Sequence, residues 1–285
     1  MKELELSHPD KIMYPKAKVT KLELAEYYHR HIDLILPHLI NRPLAILRCP
    51  QGQDHPCFYQ KHPDTLAKSI SSVEIKEKDG QKRPTMLIKK EQDLIHLLQF
   101  GALELHTWGS LADNIDKPDR MVFDLDPGPH VEFTAIIEAA KVLKAGLEEL
   151  NLQSFVKTSG KKGLHIFVPL KRVHDWETVK VFSKNMADQM AEIASNKFVS
   201  TISKAKREGK ILIDYLRNER GATCVAAYST RATDSASISV PLSWDELDSI
   251  EASNVFDLAN IEPRLNKNDP WADYFRIKQT IKSFN

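Results

Sequence analysis

The segment Met121-Val-Phe-Asp-Leu-Asp-Pro-Gly-Pro129 constrains this chain more than any other stretch. It alternates as a short strand does, with Met121, Phe123 and Leu125 on one face and Val122, Asp124 and Asp126 on the other. Two positions along a strand put the second carboxylate about 7 Å beyond the first. Like charges held side by side repel, so folding alone gives no reason to gather them. A pair of divalent cations, about 3.5–4 Å apart in two-metal phosphoryl-transfer sites, gives the pairing a purpose. Pro127-Gly-Pro129 stops the strand and leaves the acids at its C-terminal rim, where sites in α/β sheets sit. The alternative is a solvated edge strand with two ordinary surface acids, and the strand alone favours neither.

With 285 residues, 42% of them hydrophobic and 28% charged, the chain holds enough apolar material for a large core. No apolar run is long enough to span a bilayer, and the start, Met1-Lys-Glu-Leu-Glu-Leu6, lacks the apolar region of a signal peptide. Cys49, Cys57 and Cys224 suggest no disulfide framework, which suits a reducing cytoplasm. A net charge of +1 argues against a surface coated in basic charge. Basic residues nevertheless outnumber acids in 61–90, 157–172 and 197–220, while 234–285 is acid-rich, so one face suits a polyanion.

Apolar spacing predicts helices over 21–40 (with Thr20 as N-cap), 91–99, 132–150 and 176–194. Alternation predicts strands at 44–48, 57–60, 103–108, 121–126, 154–158, 164–170, 211–216 and 223–227, with a hairpin over 72–90 turning at Asp79-Gly80. Residues 244–284 read as short helical pieces packed back on the body. The alternation predicts an α/β (α+β) protein with a central mixed β-sheet flanked by helices, and a single compact domain over 1–285.

Lys210-Ile-Leu-Ile-Asp-Tyr-Leu216 ends an apolar strand on Asp214, which would complete a two-metal site beside Asp124 and Asp126. Thr158-Ser-Gly-Lys-Lys-Gly-Leu-His165 places two glycines and two lysines between strands, a turn able to receive a triphosphate or simply a hairpin with surface lysines. It lacks the spacing of a P-loop. Glu104-Leu-His-Thr-Trp108 sets Glu104, His106 and Trp108 on one strand face. Cys49, His55, Cys57 and His62 match no common structural zinc spacing, so no zinc is expected.

Hydrophobic–Asp-x-Asp, then Ser-Gly-Lys-Lys-Gly-Leu-His, then hydrophobic–Asp resembles in order the three motifs of the archaeo-eukaryotic primase superfamily. With Phe123-Asp-Leu-Asp-Pro-Gly-Pro129, Ala227-Tyr-Ser-Thr-Arg-Ala232, Ser7-His-Pro-Asp-Lys-Ile-Met-Tyr-Pro15 and Val240-Pro-Leu-Ser-Trp-Asp-Glu-Leu247, nearly the whole chain is similar to the polymerase domain of bacterial DNA ligase D. The resemblance implies a primase-like fold and a template-directed nucleotidyltransferase that extends or fills short gaps in non-homologous end joining. It also implies a preference for ribonucleotides over deoxyribonucleotides, with primase activity within reach of the same site.

By position, Asp124, Asp126 and Asp214 would be catalytic ligands of two divalent ions, Mn2+ or Mg2+. His106, Ser159, Lys162, His165, Arg207 and Arg231 would hold the NTP or dNTP. His8, Lys11 and Lys21 would meet the 5′-phosphate at a gap or overhang, and Phe58, Tyr59 and Lys61 the template. Stacking on aromatic rings tolerates any base. His8 stands where relatives often have Asn, and Tyr59 where they often have a second Phe. The resemblance places the protein in the cytoplasm at the nucleoid, with no membrane partner. No stretch resembles a ligase or 3′-phosphoesterase, so Ku and a separate DNA ligase are the expected partners. Two rivals are a haloacid-dehalogenase-type phosphatase, against which Gly128 speaks where those enzymes want Thr or Val, and a non-catalytic DNA-end-binding module.

Overall fold

The computed structural model of the protein describes residues 6–63, 69–77 and 79–282. Residues 1–5 of the start read above, parts of the 61–90 stretch and the last residues of 244–284 lie outside them.

The chain opens with the ribbon β1 (Ile12–Tyr14) and β2 (Val19–Thr20), then α1 (Lys21–Arg30) and α2 (Ile32–Leu39). Thr20 caps α1 as expected: its hydroxyl accepts from Glu23 N, and the Glu23 carboxylate accepts from Thr20 N at 2.7 Å. The single helix expected over 21–40 is corrected to two. The helical run breaks at His31, whose ring reaches Glu262 at 3.2 Å, a tertiary contact that apolar spacing cannot report.

Next come β3 (Leu44–Arg48), β4 (Phe58–Gln60), the hairpin β5 (Ser72–Lys76) and β6 (Lys82–Met86), α3 (Glu91–Gln99), β7 (Ala102–Trp108) and β8 (Arg120–Pro127). The second half holds α4 (Phe133–Glu149), β9 (Phe155–Thr158), β10 (Leu164–Pro169), α5 (Trp176–Ile193), β11 (Phe198–Val199), β12 (Ile211–Asp214), β13 (Thr223–Val225), β14 (Pro241–Leu242) and α6 (Glu262–Leu265). None of the described helices is long and apolar enough to cross a membrane.

The expected mixed sheet is present as six strands in the order β11-β12-β8-β10-β9-β14, with only β11 and β12 parallel. α4 and α5 pack against β8, so the strand that carries the acids is covered by helices and buried along most of its length. Strands 44–48, 57–60, 103–108 and 223–227 form a second, antiparallel sheet, β13-β7-β3-β4, rather than joining the first.

Two buried arginines tie the sheets together. Arg120 at the start of β8 donates to Thr107 Oγ1 and Trp108 O at the end of β7, both at 2.7 Å. Arg42, just before β3, forms a two-pronged pair with Asp119, just before β8, at 2.7 and 2.5 Å.

Cys49 and Cys57 correct the sequence expectation, because they form a disulfide. β3 and β4 pair antiparallel with Arg48 opposite Phe58, so the next residue out on each strand is brought face to face, with Cα atoms 4.4 Å apart. An eight-residue separation looks uninformative until that pairing is known.

Removing one partner of a buried ion pair strands the other, at a cost of about 3–5 kcal/mol. Arg42→Ala is expected to lower unfolding free energy by about that amount at neutral pH. Burial opposes the Asp119 charge, but Arg42 outweighs it and depresses the folded pKa below the unfolded value. The contribution is therefore complete above the unfolded carboxylate pKa of about 3.9 and vanishes as pH falls through the folded one. Urea titrations should show the gap between wild type and variant closing in strong acid; a gap that widens there would contradict the assignment.

Candidate active site

Strand register assembles the acids. β8 lies between β12 and β10, with Asp124 opposite Asp214 on one side and opposite His165 on the other. His165 in turn lies opposite Lys157 on β9. Asp214, Asp124, His165 and Lys157 thus form one row across four strands, all on the same face. Asp126 follows two residues along β8.

Beyond Asp214 the chain leaves the ladder, and Asn218 takes over. Its side chain accepts from Val122 N and donates to Val122 O, both at 2.7 Å, continuing the pairing along β8 with an amide. This fixes the turn that carries Arg217, a residue the sequence reading missed. Arg217 Nη2 lies 3.1 Å from Asp124 Oδ2, and its Nε lies 3.7 Å from Asp214 Oδ2. The only signal was a cation three residues past the last acid.

Close backbone approach holds the ends of β8. A Cβ on Gly128 would lie 1.8 Å from Arg207 O, and one on Gly163 would lie 2.0 Å from Leu125 O. Gly163 N–H is also spent, donating to Ser159 Oγ at 3.1 Å. That glycine serves strand packing rather than an open anion nest.

The electrostatics show an unmet demand for positive charge. Burial works against ionised Asp124, but His165 and Arg217 outweigh it and hold its carboxyl well below the usual range. Burial, then repulsion from Asp124, pushes Asp126 up to about 6. Burial also raises Asp214, against the pull of Arg217. Arg207 comes no nearer to Asp126 Oδ2 than 3.9 Å. Asp124 Oδ1 is buried with no hydrogen-bond partner; His165 Nε2 faces it at 3.2 Å without hydrogen-bond alignment.

Among the described residues no three His, Cys, Asp or Glu side chains close into a ready-made metal cage. The donor set, three carboxylates with an orphaned buried oxygen, still fits hard divalent ions such as Mg2+ or Mn2+. The sulfurs of Cys49 and Cys57 are bonded to each other.

A cleft of about 590 Å³ runs between the two sheets. Of the residues singled out from sequence, Asp124, Asp126, His106, Ser159, Lys162, His165, Arg231 and Tyr59 line it. Glu104 organises the opposite wall. Fully buried on β7, it meets His106 Nε2 at 2.8 Å, Lys161 Nζ at 3.1 Å and Arg231 Nε at 3.2 Å. Burial disfavours its charge, but His106 and Arg231 outweigh that and hold it ionised. Burial lowers the pKa of His106, with Glu104 opposing. Sequence reading put Glu104 on the His106 face without giving it a role.

Asp214, Arg207, Phe58, Lys61, His8, Lys11 and Lys21 lie outside the cleft lining, and Tyr59 stands at its edge. Phe58 and Tyr59 are exposed, with Tyr59 edge-on to His106 at 5.4 Å. Lys61 pairs with Glu77 at 3.0 Å, beside a separate hollow that includes Trp108 and Arg220. Lys11 and Lys21 are neighbours through Lys21 N donating to Lys11 O at 2.8 Å, and His8 O accepts from Lys11 N. Burial, then the Lys11 charge, lowers the pKa of Lys21. Lys11 Nζ donates to Pro50 O at 2.6 Å, on the disulfide-closed loop that leads to Phe58.

The family described as LigD, primase-polymerase domain matches residues 20–271. The chain is 39% identical over 284 residues to the multifunctional non-homologous end joining protein LigD of Pseudomonas aeruginosa, covering 98% of this chain and 34% of that protein. It is 31% identical over 247 residues to the protein of that name from Mycolicibacterium smegmatis, covering 86% and 32%. The chain thus spans about a third of the length of these relatives. Among solved structures, the polymerase domain from Mycobacterium tuberculosis ligase D in complex with DNA superposes with a TM-score of 0.88 at 26% identity, covering 96% of this chain and 98% of that one. The mixed α+β architecture expected from the sequence is therefore the fold of that domain. By the extent of the match and by its fold, the chain belongs to the LigD primase-polymerase domain family.

Proposed function

We propose that the chain is a template-directed nucleotidyltransferase that adds nucleotides to a 3′-hydroxyl at DNA breaks, filling short gaps and extending overhangs in end joining. The observation that carries the reading is the gathering of Asp124, Asp126 and Asp214 on one rim of a cleft whose other surfaces present His106, Ser159, Lys162, His165 and Arg231. The relatives' names and the DNA bound to the M. tuberculosis domain support it.

Mn2+ or Mg2+ ions held by the three aspartates would neutralise charge on the α-phosphate and lower the pKa of the attacking hydroxyl. The protein's own part is positioning. Glu104 fixes His106 and Arg231 so that both face the cleft as preset partners for an NTP or dNTP. Arg231 Nη1 also donates to Ser159 O, tying the phosphate side of the cleft to the turn that carries Lys162. Arg207 stands within reach of Asp126 at the mouth. Ribonucleotide preference belongs to the same proposal.

DNA would cross the flanks. Lys11 and Lys21, two adjacent cations whose mutual repulsion an anion would relieve, suit a 5′-phosphate, with His8 beside them. Exposed Phe58 and Tyr59 suit stacking on template bases, with Lys61 nearby for the backbone. Ku and a ligase are the partners this activity would serve.

Asp124→Ala or Asp126→Ala is expected to abolish primer extension on gapped DNA, with Mn2+ or Mg2+ and with either kind of nucleotide. Binding to the 5′-phosphorylated gap, read by fluorescence anisotropy, should stay close to wild type. Extension at wild-type rates in either variant would sink the reading.

Lys11→Ala or Lys21→Met is expected to reduce the preference for a 5′-phosphate over a 5′-hydroxyl by about tenfold, the scale of one hydrogen bond to a charged group. Competition binding with the two DNA ends measures this directly, and a preference that survives both changes would relocate the end site.

A further inference from the structure

Lys157 is fully buried on β9, in register with His165 on β10 and Pro241 on β14. Burying an amino group without a carboxylate partner is costly, so its position calls for a reason. Its hydrogen-bond partners are a ring nitrogen and a hydroxyl. Nζ lies 2.9 Å from His165 Nδ1 and also donates to Ser239 Oγ. The direction of the second bond is set, because the Ser239 hydroxyl spends its own hydrogen on Thr158 O at 2.7 Å.

The other end of the same imidazole faces an anion, with Nε2 3.2 Å from Asp124 Oδ1. A bare Nε2 would turn its lone pair on that carboxylate. A proton on Nδ1 would point at the Lys157 amino group. With Lys157 as an ammonium and the ring neutral, one arrangement relieves both conflicts: the proton on Nε2 and the lone pair on Nδ1. Cys224 Sγ, 3.4 Å from Nδ1, pulls the other way as a thiolate. Burial opposes that charge, but His165 and Lys157 lower the thiol to about 7. As a thiol it leaves the Nδ1 lone pair to Lys157.

From this geometry we infer that Lys157 is a positioning residue that holds His165 as its Nε2–H tautomer, so that the ring presents a hydrogen-bond donor to the cleft. Lys157 itself does not line the cleft, and it acts only through the ring. For its catalytic consequence the inference rests on the proposed triphosphate role of His165, since phosphate oxygens accept hydrogen bonds and a ring turned the other way has none to give.

The test replaces the donor with Lys157→Met, which keeps the length and the apolar stem. Nitrogen NMR of the His165 ring, recorded on the protein without nucleotide or DNA, reads which nitrogen carries the proton. Wild type is expected to show a protonated Nε2 and a bare Nδ1, and the variant a mixture. In primer extension, Lys157→Met is expected to raise KM for nucleotide about tenfold, the scale of one hydrogen bond to a charged group, with kcat changed less. In a His165→Ala background the same change should add nothing.

A proton on Nδ1 of wild type, an unaltered tautomer in the variant, or an equal rise in KM without His165 each overturns the inference. If wild type extends no primer while the ring spectrum is as expected, the functional reading fails and the tautomer assignment stands. Should Lys157→Met not fold, the wild-type ring spectrum carries the test: a protonated Nε2 with a bare Nδ1 supports the inference, and a proton on Nδ1 overturns it.

Discussion

Asp214, Asp124, His165 and Lys157 stand in one row because four strands pair in a single register, and the site depends on that row. Side chains opposite one another on neighbouring strands are only about 5 Å apart, so two aspartates placed there must be neutralised by something. In the protein alone Arg217 answers part of that demand, and His165 faces Asp124 from the other side. A slip of one residue on β8 would send Asp124 to the opposite face and remove the acids together. Gly128 and Gly163 guard the register, since any side chain at either position would collide with backbone carbonyls.

The cleft exists because a second sheet is held against the first at a fixed offset. Arg42–Asp119 and Arg120 bridge the starts and ends of strands from different sheets, and both rely on buried, charge-assisted hydrogen bonds. Such contacts are costly to half-remove, which makes the offset rigid. The two sheets then contribute complementary halves: acids from one, and from the other a Glu104 that keeps His106 and Arg231 aimed across the gap. A buried glutamate surrounded by His106, Lys161 and Arg231 holds these side chains in place.

The long helices and most strands were legible in sequence, because one buried face imposes a period. The 91–99 helix is an example, since Leu94, Ile95, Leu97 and Leu98 are all buried. The 21–40 helix was misread because apolar spacing continues through His31, where the backbone leaves helical geometry and the ring meets Glu262, more than two hundred residues away. The Cys49–Cys57 disulfide was missed for a similar reason: it follows from the pairing of β3 with β4, not from the eight-residue spacing. The resemblance puts Lys61 at the template but does not report its pairing with Glu77 of the next hairpin at 3.0 Å.

The sequence by itself determined the acids, the Ser159–His165 turn and the family, because motifs record which atoms the chemistry needs and in what order. It could not determine who stands beside whom. Only the tertiary structure made Arg217 the counter-charge, Glu104 the organiser of the opposite wall and Lys157 the partner of His165. Each of those roles depends on a distance between residues on different strands or turns, and such distances are fixed by register and sheet packing rather than by local periodicity.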